Sequence, residues 1–179
     1  MAKPKKINYE VIREKDNPEA YRLLSKVRNT SHEEISKASI ALAWRKQTKA
    51  DVDGHLVLGR CVKVTDLYKE FQAYDFIIVL NKEVWNDIEF TLDKRTALLD
   101  HELCHAGVAV DKDGEPKIDE RDRPVFRTRK HDIEEFTEIV SRHGCYKRDL
   151  EQFAEVLLRK QQMPLLPDPP EKASRQVAH

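Results

Sequence analysis

The spacing of hydrophobic and polar positions predicts both helices and strands, and the first two predicted elements are helices. Residues 17–19 (Asn-Pro-Glu) place a capping asparagine before a proline at the first helical position, so a helix is expected to about Asn29. Residues 31–34 (Ser-His-Glu-Glu) match a capping box and predict a second helix to about Gln47. In this second helix, His32 is expected to be exposed and to have no function.

The middle of the chain carries patterns typical of strands. Residues 55–64 (HLVLGRCVKV) predict one strand, with Gly59 at a bulge, and residues 73–80 (AYDFIIVL) predict a more buried one. A turn is expected at residues 51–54 (Asp-Val-Asp-Gly), and a hairpin turn at Asp113-Gly114.

The clearest predicted helix covers residues 91–106 (TLDKRTALLDHELCHA), which contain no glycine or proline. Thr91 or Asp93 can cap its start, and Gly107 predicts either its end or a close backbone approach. Leucines recur at helical spacing on one face, opposite two histidines. These leucines are Leu92, Leu99 and Leu103.

Length and composition are typical of one α+β domain. The chain has 179 residues, of which 40% are hydrophobic and 36% charged, which suits a single core beneath a polar surface. We expect a domain over residues 1–162, with N-terminal helices, a small β-sheet, the helix at 91–106 packed on that sheet, and a C-terminal helix near 151–161. Residues 163–179 contain a proline-rich run (MPLLPDPP) and predict a disordered tail, as do the first six residues.

Charge and cysteine content indicate the cellular compartment and limit the classes of binding partner. Basic and acidic residues number 32 each, so no overall positive field attracts nucleic acid or anionic membrane. The start of the chain lacks the apolar stretch of a signal peptide, and no segment is long enough to span a membrane. Three cysteines do not form a disulfide framework. Cys104 is expected to be a small buried hydrophobe; the alternative, a role as metal ligand, would compete with better-placed histidines. These features predict a cytoplasmic protein.

The chemistry of the chain is indicated by residues 101–105, His-Glu-Leu-Cys-His. His101 and His105 are four residues apart, so both imidazoles lie on one helix face and can bind one metal ion. Glu102 lies at the edge of that face, where it can orient a water molecule and take its proton. The predicted metal is zinc, and the predicted reaction is metal-assisted hydrolysis of a peptide bond.

A catalytic zinc ion usually has three protein ligands, so a third must come from elsewhere in the chain. His131 is the best candidate, because it precedes a predicted helix over residues 133–143 that Asp132 can cap. Carboxylates of that helix compete for the same role, as does a histidine near its end. These competitors are Glu134, Glu135, Glu138 and His143.

Two motifs together resemble a known family. Residues 100–105 (DHELCH) and 131–136 (HDIEEF), with the strand-like segment 75–80 upstream, look like the phage metallopeptidase family, and the resemblance covers residues 44–146. The chain is also similar, more loosely, to SprT/Spartan-like zinc proteases. The resemblance implies a zincin-like fold, zinc bound by His101, His105 and His131, and Glu102 as general base. If the chain is phage-encoded, its location is the cytoplasm of the host bacterium.

Three functions are consistent with these patterns. The first is a zinc metallopeptidase, with a protein or peptide substrate that adds as a strand to residues 56–64 or 73–80. The second is a zinc-containing binding or regulatory module without hydrolysis. The third is a SprT-like protease acting on DNA-associated proteins, supported by a basic run that is more often a solvated face. The basic run comprises Arg121, Arg123, Arg127, Arg129 and Lys130, and the candidates for stabilising the oxyanion are Arg129, His143 and Tyr146.

Overall fold

The structure is a computed structural model that describes residues 8–46 and 50–162. The chain forms two compact units, Met1–Lys130 and His131–His179. Helices and a small mixed sheet confirm the predicted α+β class. The zincin-like detail and the boundary of a single domain at residue 162 stay predictions. The predicted basic N-terminal tail and the proline-rich tail over residues 163–179 lie outside the described residues.

The first unit contains a four-stranded sheet in the order β1-β2-β4-β3. β2 and β4 are parallel, whereas β1 pairs with β2 and β3 with β4 in antiparallel register. β4 is therefore an interior strand, and β3 is an edge strand within the described residues. The strands are β1 (Tyr9–Ile12), β2 (Ile40–Arg45), β3 (Gly59–Lys63) and β4 (Phe76–Asn81).

The first helix confirms its prediction closely. Helix α1 spans Pro18–Ser31, and the Asn17 side chain accepts a hydrogen bond of 3.1 Å from the Ala20 backbone amide. This bond satisfies one of the amide groups that a helix start leaves without a partner. Leu23, Leu24 and Val27 of α1 are buried.

The second predicted helix is wrong. A single 3-10 turn, Glu33–Ile35, follows α1, and the chain then enters β2. Ile40, Leu42 and Trp44 of this strand are buried in the core, while backbone bonds to strands on both sides satisfy the peptide groups. Long-range pairing thus prevails over the local capping signal.

The motif helix, α4, spans Leu92–Cys104 and confirms the prediction of its start. The Thr91 hydroxyl accepts a hydrogen bond from the Lys94 amide at 3.4 Å. Leu99 and Leu103 are fully buried, and burial of each contributes about 2 kcal/mol relative to exposure. Leu92 is 53% exposed, so its predicted place on the buried face is wrong; it lies in the first turn, where the helix enters from the surface.

One hydrophobic core holds the sheet and helices of the first unit together. α1 packs on α4, and buried residues of β2 and β4 cover the facing side of the sheet. Aromatic pairs reinforce the core: Trp44 and Trp85 lie 6.0 Å apart between ring centroids, and Phe76 meets Phe126 edge-on at 5.5 Å. Two short helices join these elements, α2 (Asp66–Lys69) and α3 (Lys82–Trp85).

The chain leaves the motif helix directly into a second, two-stranded sheet. β5 (Ala106–Val108) pairs antiparallel with β6 (Phe126–Thr128). Between them, Gly114 has a φ of 87° in a turn where its amide donates to the Asp111 carbonyl, as the predicted hairpin turn requires. Gly107 does not end the helix, which stops at Cys104, but a side chain there would meet Arg129 at 3.3 Å.

The second unit contains two helices, α5 (Thr137–His143) and α6 (Arg148–Gln162). The predicted helix start at Ile133 with an Asp132 cap is wrong, because α5 begins four residues later, after Phe136. The Glu135 carboxylate accepts a hydrogen bond from the Phe136 amide at 3.0 Å and forms an ion pair with Lys147 at 2.9 Å. Residues 133–136, predicted to form the first helical turn, therefore precede the helix, and Glu135 makes these side-chain contacts instead. No helix in the described residues is both long and apolar enough to cross a membrane.

Candidate metal centre

The last two turns of α4 bring two imidazoles together. His101 is exposed and His105 is half-buried, and their ring centroids lie 5.1 Å apart at an interplanar angle of 83°. The opposite face of the same turns is held in the core by Leu99 and Leu103. The helix therefore presents both histidines outward, as the four-residue spacing predicts.

The orientation of the His105 ring follows from the strand after the helix. Its Nδ1 lies 2.9 Å from the Arg129 carbonyl oxygen, and the Arg129 amide donates to the His105 carbonyl at 2.8 Å. A carbonyl oxygen can only accept, so Nδ1 is the donor of this bond, and Nε2 is the ring nitrogen that can face a metal ion. A backbone carbonyl on one nitrogen and a ligand site on the other is the usual arrangement for a metal-binding histidine.

The third predicted ligand lies close to the other two. One ligand atom each from His101, His105 and His131 falls within 4.8 Å of the others, so the three can hold one metal ion. His131 is bonded to Lys130, the last residue of the first unit, just after Arg129. The two bonds between Arg129 and His105 thus anchor the chain two residues before His131.

Glu102 points from the same helix toward the edge strand β3. Its side chain is buried, with the residue 2% exposed, and Oε2 has no hydrogen-bond partner among the described residues. Burial raises the pKa of Glu102, whereas the charge of His105 and a hydrogen bond from the Cys61 backbone amide oppose this shift. A carboxylate oxygen that is buried without a partner is costly, and such sites often have a catalytic or ligand-binding role.

The close approach of β3 to Glu102 depends on a glycine. A Cβ atom at Gly59 would lie 2.5 Å from Glu102 Oε1, closer than real Cβ contacts allow. Gly59 pairs with Leu80 in continuous register, so the predicted bulge at this position is wrong. The glycine instead leaves space for the carboxylate.

Within the described part of the chain, the histidine cluster includes none of the four competing residues named from the sequence. Glu135, one of them, bonds Tyr146, Lys147 and the Phe136 amide, which together lower its pKa to about 2. The Tyr146 hydroxyl donates to Glu135, so it is engaged within the second unit.

Two further predictions about single residues in the first unit are wrong. His32, predicted to be exposed, is buried, and its Nε2 lies 2.6 Å from Asp100 Oδ1. Cys104, predicted to be buried, is exposed at the end of α4. Sequence analysis misses the pair of His32 and Asp100, whose members are 68 positions apart, because no local pattern links them.

Comparison with known families decides the class of the protein. The family described as "Putative phage metallopeptidase" matches residues 11–157, which include strands β2 to β6, α4 and His131. The chain belongs to this family. No curated protein and no solved structure gives a significant match. As a member of the phage metallopeptidase family, the protein is assigned to hydrolases at the level of that description, with protein as the implied substrate.

The basic run in this family member is partly neutralised by its own acidic residues. Arg121 pairs with Glu70 at 3.0 Å, and Arg123 pairs with Asp119 at 2.8 Å. Hydrogen bonds from the side chain and backbone of Arg123, together with the positive charge of its guanidinium group, lower the pKa of Asp119 to about 2. Nucleic-acid binding and the similarity to SprT proteins therefore stay predictions.

Proposed function

We propose that this protein is a zinc metallopeptidase with His101, His105 and His131 as metal ligands and Glu102 as general base. One observation carries the proposal. One ligand nitrogen from each of three imidazoles lies within 4.8 Å of the others, and between two of these histidines in the chain stands Glu102, a buried carboxylate whose Oε2 has no hydrogen-bond partner in the described residues. Family membership supports a metallopeptidase in general terms.

The donor set fits zinc. Zinc accepts imidazole nitrogen readily, and catalytic sites combine three protein ligands with one open position. The Nδ1 proton of His105 is bonded to the Arg129 carbonyl, which leaves Nε2 as the ligand atom. Two of the three histidines are exposed, so substrate and water can reach the open position.

Glu102 would perform the proton transfers. When bound, zinc supplies Lewis acidity, which lowers the pKa of a water to about 7 and polarises a carbonyl group. The Glu102 carboxylate would orient that water, accept its proton and later donate the proton to the leaving nitrogen. Burial raises the pKa of Glu102, which favours acceptance of the proton, while the Cys61 amide holds the carboxylate in position.

We propose that the substrate binds along the edge strand β3. β4, the other candidate strand, has partners on both sides, whereas β3 has a ladder partner only on one side in the described residues. The Cys61 amide bonds Glu102, so it faces away from β4 and places the base at the open side of β3. An added peptide strand would gain backbone hydrogen bonds there, next to Glu102. A structure of Glu102→Gln with a bound peptide that contacts only helices would overturn this assignment.

The metal ligands are tested by elemental analysis of protein purified without chelator. We expect His131→Ala to lose about one zinc per chain relative to the wild type, because removing one of three ligands weakens the site. His143→Ala is the matched control, since His143 is an exposed histidine outside the cluster. Unchanged zinc in His131→Ala would contradict the proposed ligand set.

The general base is tested by peptidase assays of Glu102→Gln. The amide keeps the size of the side chain but cannot take a proton, so we expect turnover to fall about 10²- to 10⁴-fold with zinc content unchanged. Full activity in this variant would overturn the role of Glu102. Zinc bound without hydrolysis of any substrate by the wild type would favour the alternative of a binding or regulatory module.

A further inference from the structure

A second group of metal-binding side chains lies on an adjacent face of the motif helix. One ligand atom each from His32, Asp100 and Cys104 falls within 4.8 Å of the others. Asp100 and Cys104 are four residues apart on α4, each one position before a histidine of the candidate metal centre, and so about 100° away around the helix. All three residues belong to the first unit.

We propose that His32, Asp100 and Cys104 form a second metal site, which takes a thiophilic divalent cation such as Zn²⁺. The set offers an imidazole nitrogen, a carboxylate oxygen and a thiolate sulfur, each of which is a common zinc ligand. With three protein ligands, a fourth position would be filled by water, because Cys104 lies at the surface. On binding, the thiol releases its proton to the solvent.

The position of His32 supports this proposal. The residue is 4% exposed and comes from the segment between α1 and the 3-10 turn, yet its Nε2 is directed at Asp100 at 2.6 Å. A Glu34 carboxylate oxygen lies on the other side of the ring, 4.0 Å from Nδ1. In the metal-free chain Nε2 and the Asp100 carboxylate share a proton, and a bound metal ion would take the place of that proton.

A hydrogen bond alone would also explain the contact between His32 and Asp100, but it would give Cys104 no role. A metal site, in contrast, requires the Cys104 thiolate as a ligand, so substitution of Cys104 distinguishes the two explanations. A metal ion held by all three residues would cross-link the end of α1 to α4, the helix that carries His101, Glu102 and His105. Such an ion binds only the folded chain and so would raise its stability in proportion to the logarithm of its concentration.

Cobalt titration of the full-length, chelator-treated protein tests the proposal. Cobalt bound by thiolate gives a near-ultraviolet sulfur-to-cobalt charge-transfer band, and the three-histidine centre contains no sulfur ligand. We expect this band in the wild type. In Cys104→Ser we expect the loss of the band and of one bound cobalt per chain. Cys145→Ser is the matched control, because Cys145 is also exposed but belongs to neither cluster of the described residues.

The variants distinguish this proposal from the proposed function. His131→Ala should retain the band while losing peptidase activity, because the second site shares no ligand with the first. The absence of a band in the wild type, or its persistence in Cys104→Ser, would overturn the second site. Equal melting temperatures of metal-free wild type and Cys104→Ser would show that the loss of the band does not come from unfolding.

Discussion

At the scale of single residues, burial changes proton affinity at two neighbouring groups beside the candidate centre. It raises the pKa of Glu102, and it raises the pKa of the Cys61 thiol to about 12, with the charge of Glu102 adding to the effect. A raised pKa suits the proposed role of Glu102, because a general base must accept a proton. The raised pKa of Cys61 makes its thiol unreactive instead, since a thiol with this pKa is almost never a nucleophile near neutral pH.

We expect Cys61 to resist alkylation in the folded protein. At pH 8 a thiol with a pKa of about 12 is ionised in roughly one molecule in 10⁴, whereas exposed Cys104 and Cys145 can react from solvent. Iodoacetamide labelling followed by peptide mass spectrometry measures this difference. Labelling in denaturant is the control, where all three cysteines should react. Equal labelling of Cys61 in the native protein would contradict its burial.

At the scale of elements, the close contact between α4 and β3 determines the geometry of the candidate centre. The contact requires Gly59, because any larger residue would place a Cβ atom against the Glu102 carboxylate. The strand in turn holds that carboxylate through the Cys61 amide. Contacts from α4 and from β3 together thus position the proposed base.

We expect Gly59→Ala to reduce kcat/KM about 10- to 100-fold while zinc content stays unchanged. The added methyl group would displace the Glu102 carboxylate, and small displacements of a reacting group have effects of this size. Peptidase kinetics and elemental analysis on the same preparation measure both quantities. Lys26→Ala is the control, since Lys26 is an exposed residue of α1, outside the strand proposed to bind substrate. Wild-type kinetics in Gly59→Ala would show that Glu102 does not depend on this approach.

At the scale of the whole molecule, opposite charges are balanced both overall and locally. The formal net charge is zero, and two arginines of the basic run are already paired with acidic residues of the first unit. Electrostatic attraction to a polyanion depends on several cationic groups that are not neutralised by neighbours. Two of the five cationic groups of the basic run are therefore offset by neighbouring carboxylates.

We expect DNA to leave peptidase activity unchanged, because two cationic groups of the basic run are paired with acidic residues and the net charge of the chain is zero. Activity toward a protein substrate should be measured with and without duplex and single-stranded DNA at low and at physiological salt. Stimulation at low salt that weakens steeply as salt increases would contradict this expectation and favour the SprT-like alternative. Charge reversal of Arg127 would then show whether the basic run is responsible.

Local interactions make part of the structure predictable. The cap at Asn17, the cap at Thr91 and the four-residue spacing of His101 and His105 each depend on residues within one or two helical turns. Such short-range patterns are visible in the sequence, so they predict α1, α4 and the outward position of both histidines correctly. The placement of Leu99 and Leu103 in the core follows from the same periodicity.

The sequence by itself determined the α+β class, the start of the motif helix and the shared helix face of His101 and His105. Only the tertiary structure decided that residues 40–45 form a strand, that β3 is the edge strand, and that Gly59 makes room for Glu102. It also brought His32 to Asp100, 68 positions away. The physical reason is that these features depend on pairing and packing between distant segments, which leave no periodic or neighbouring signal in the chain.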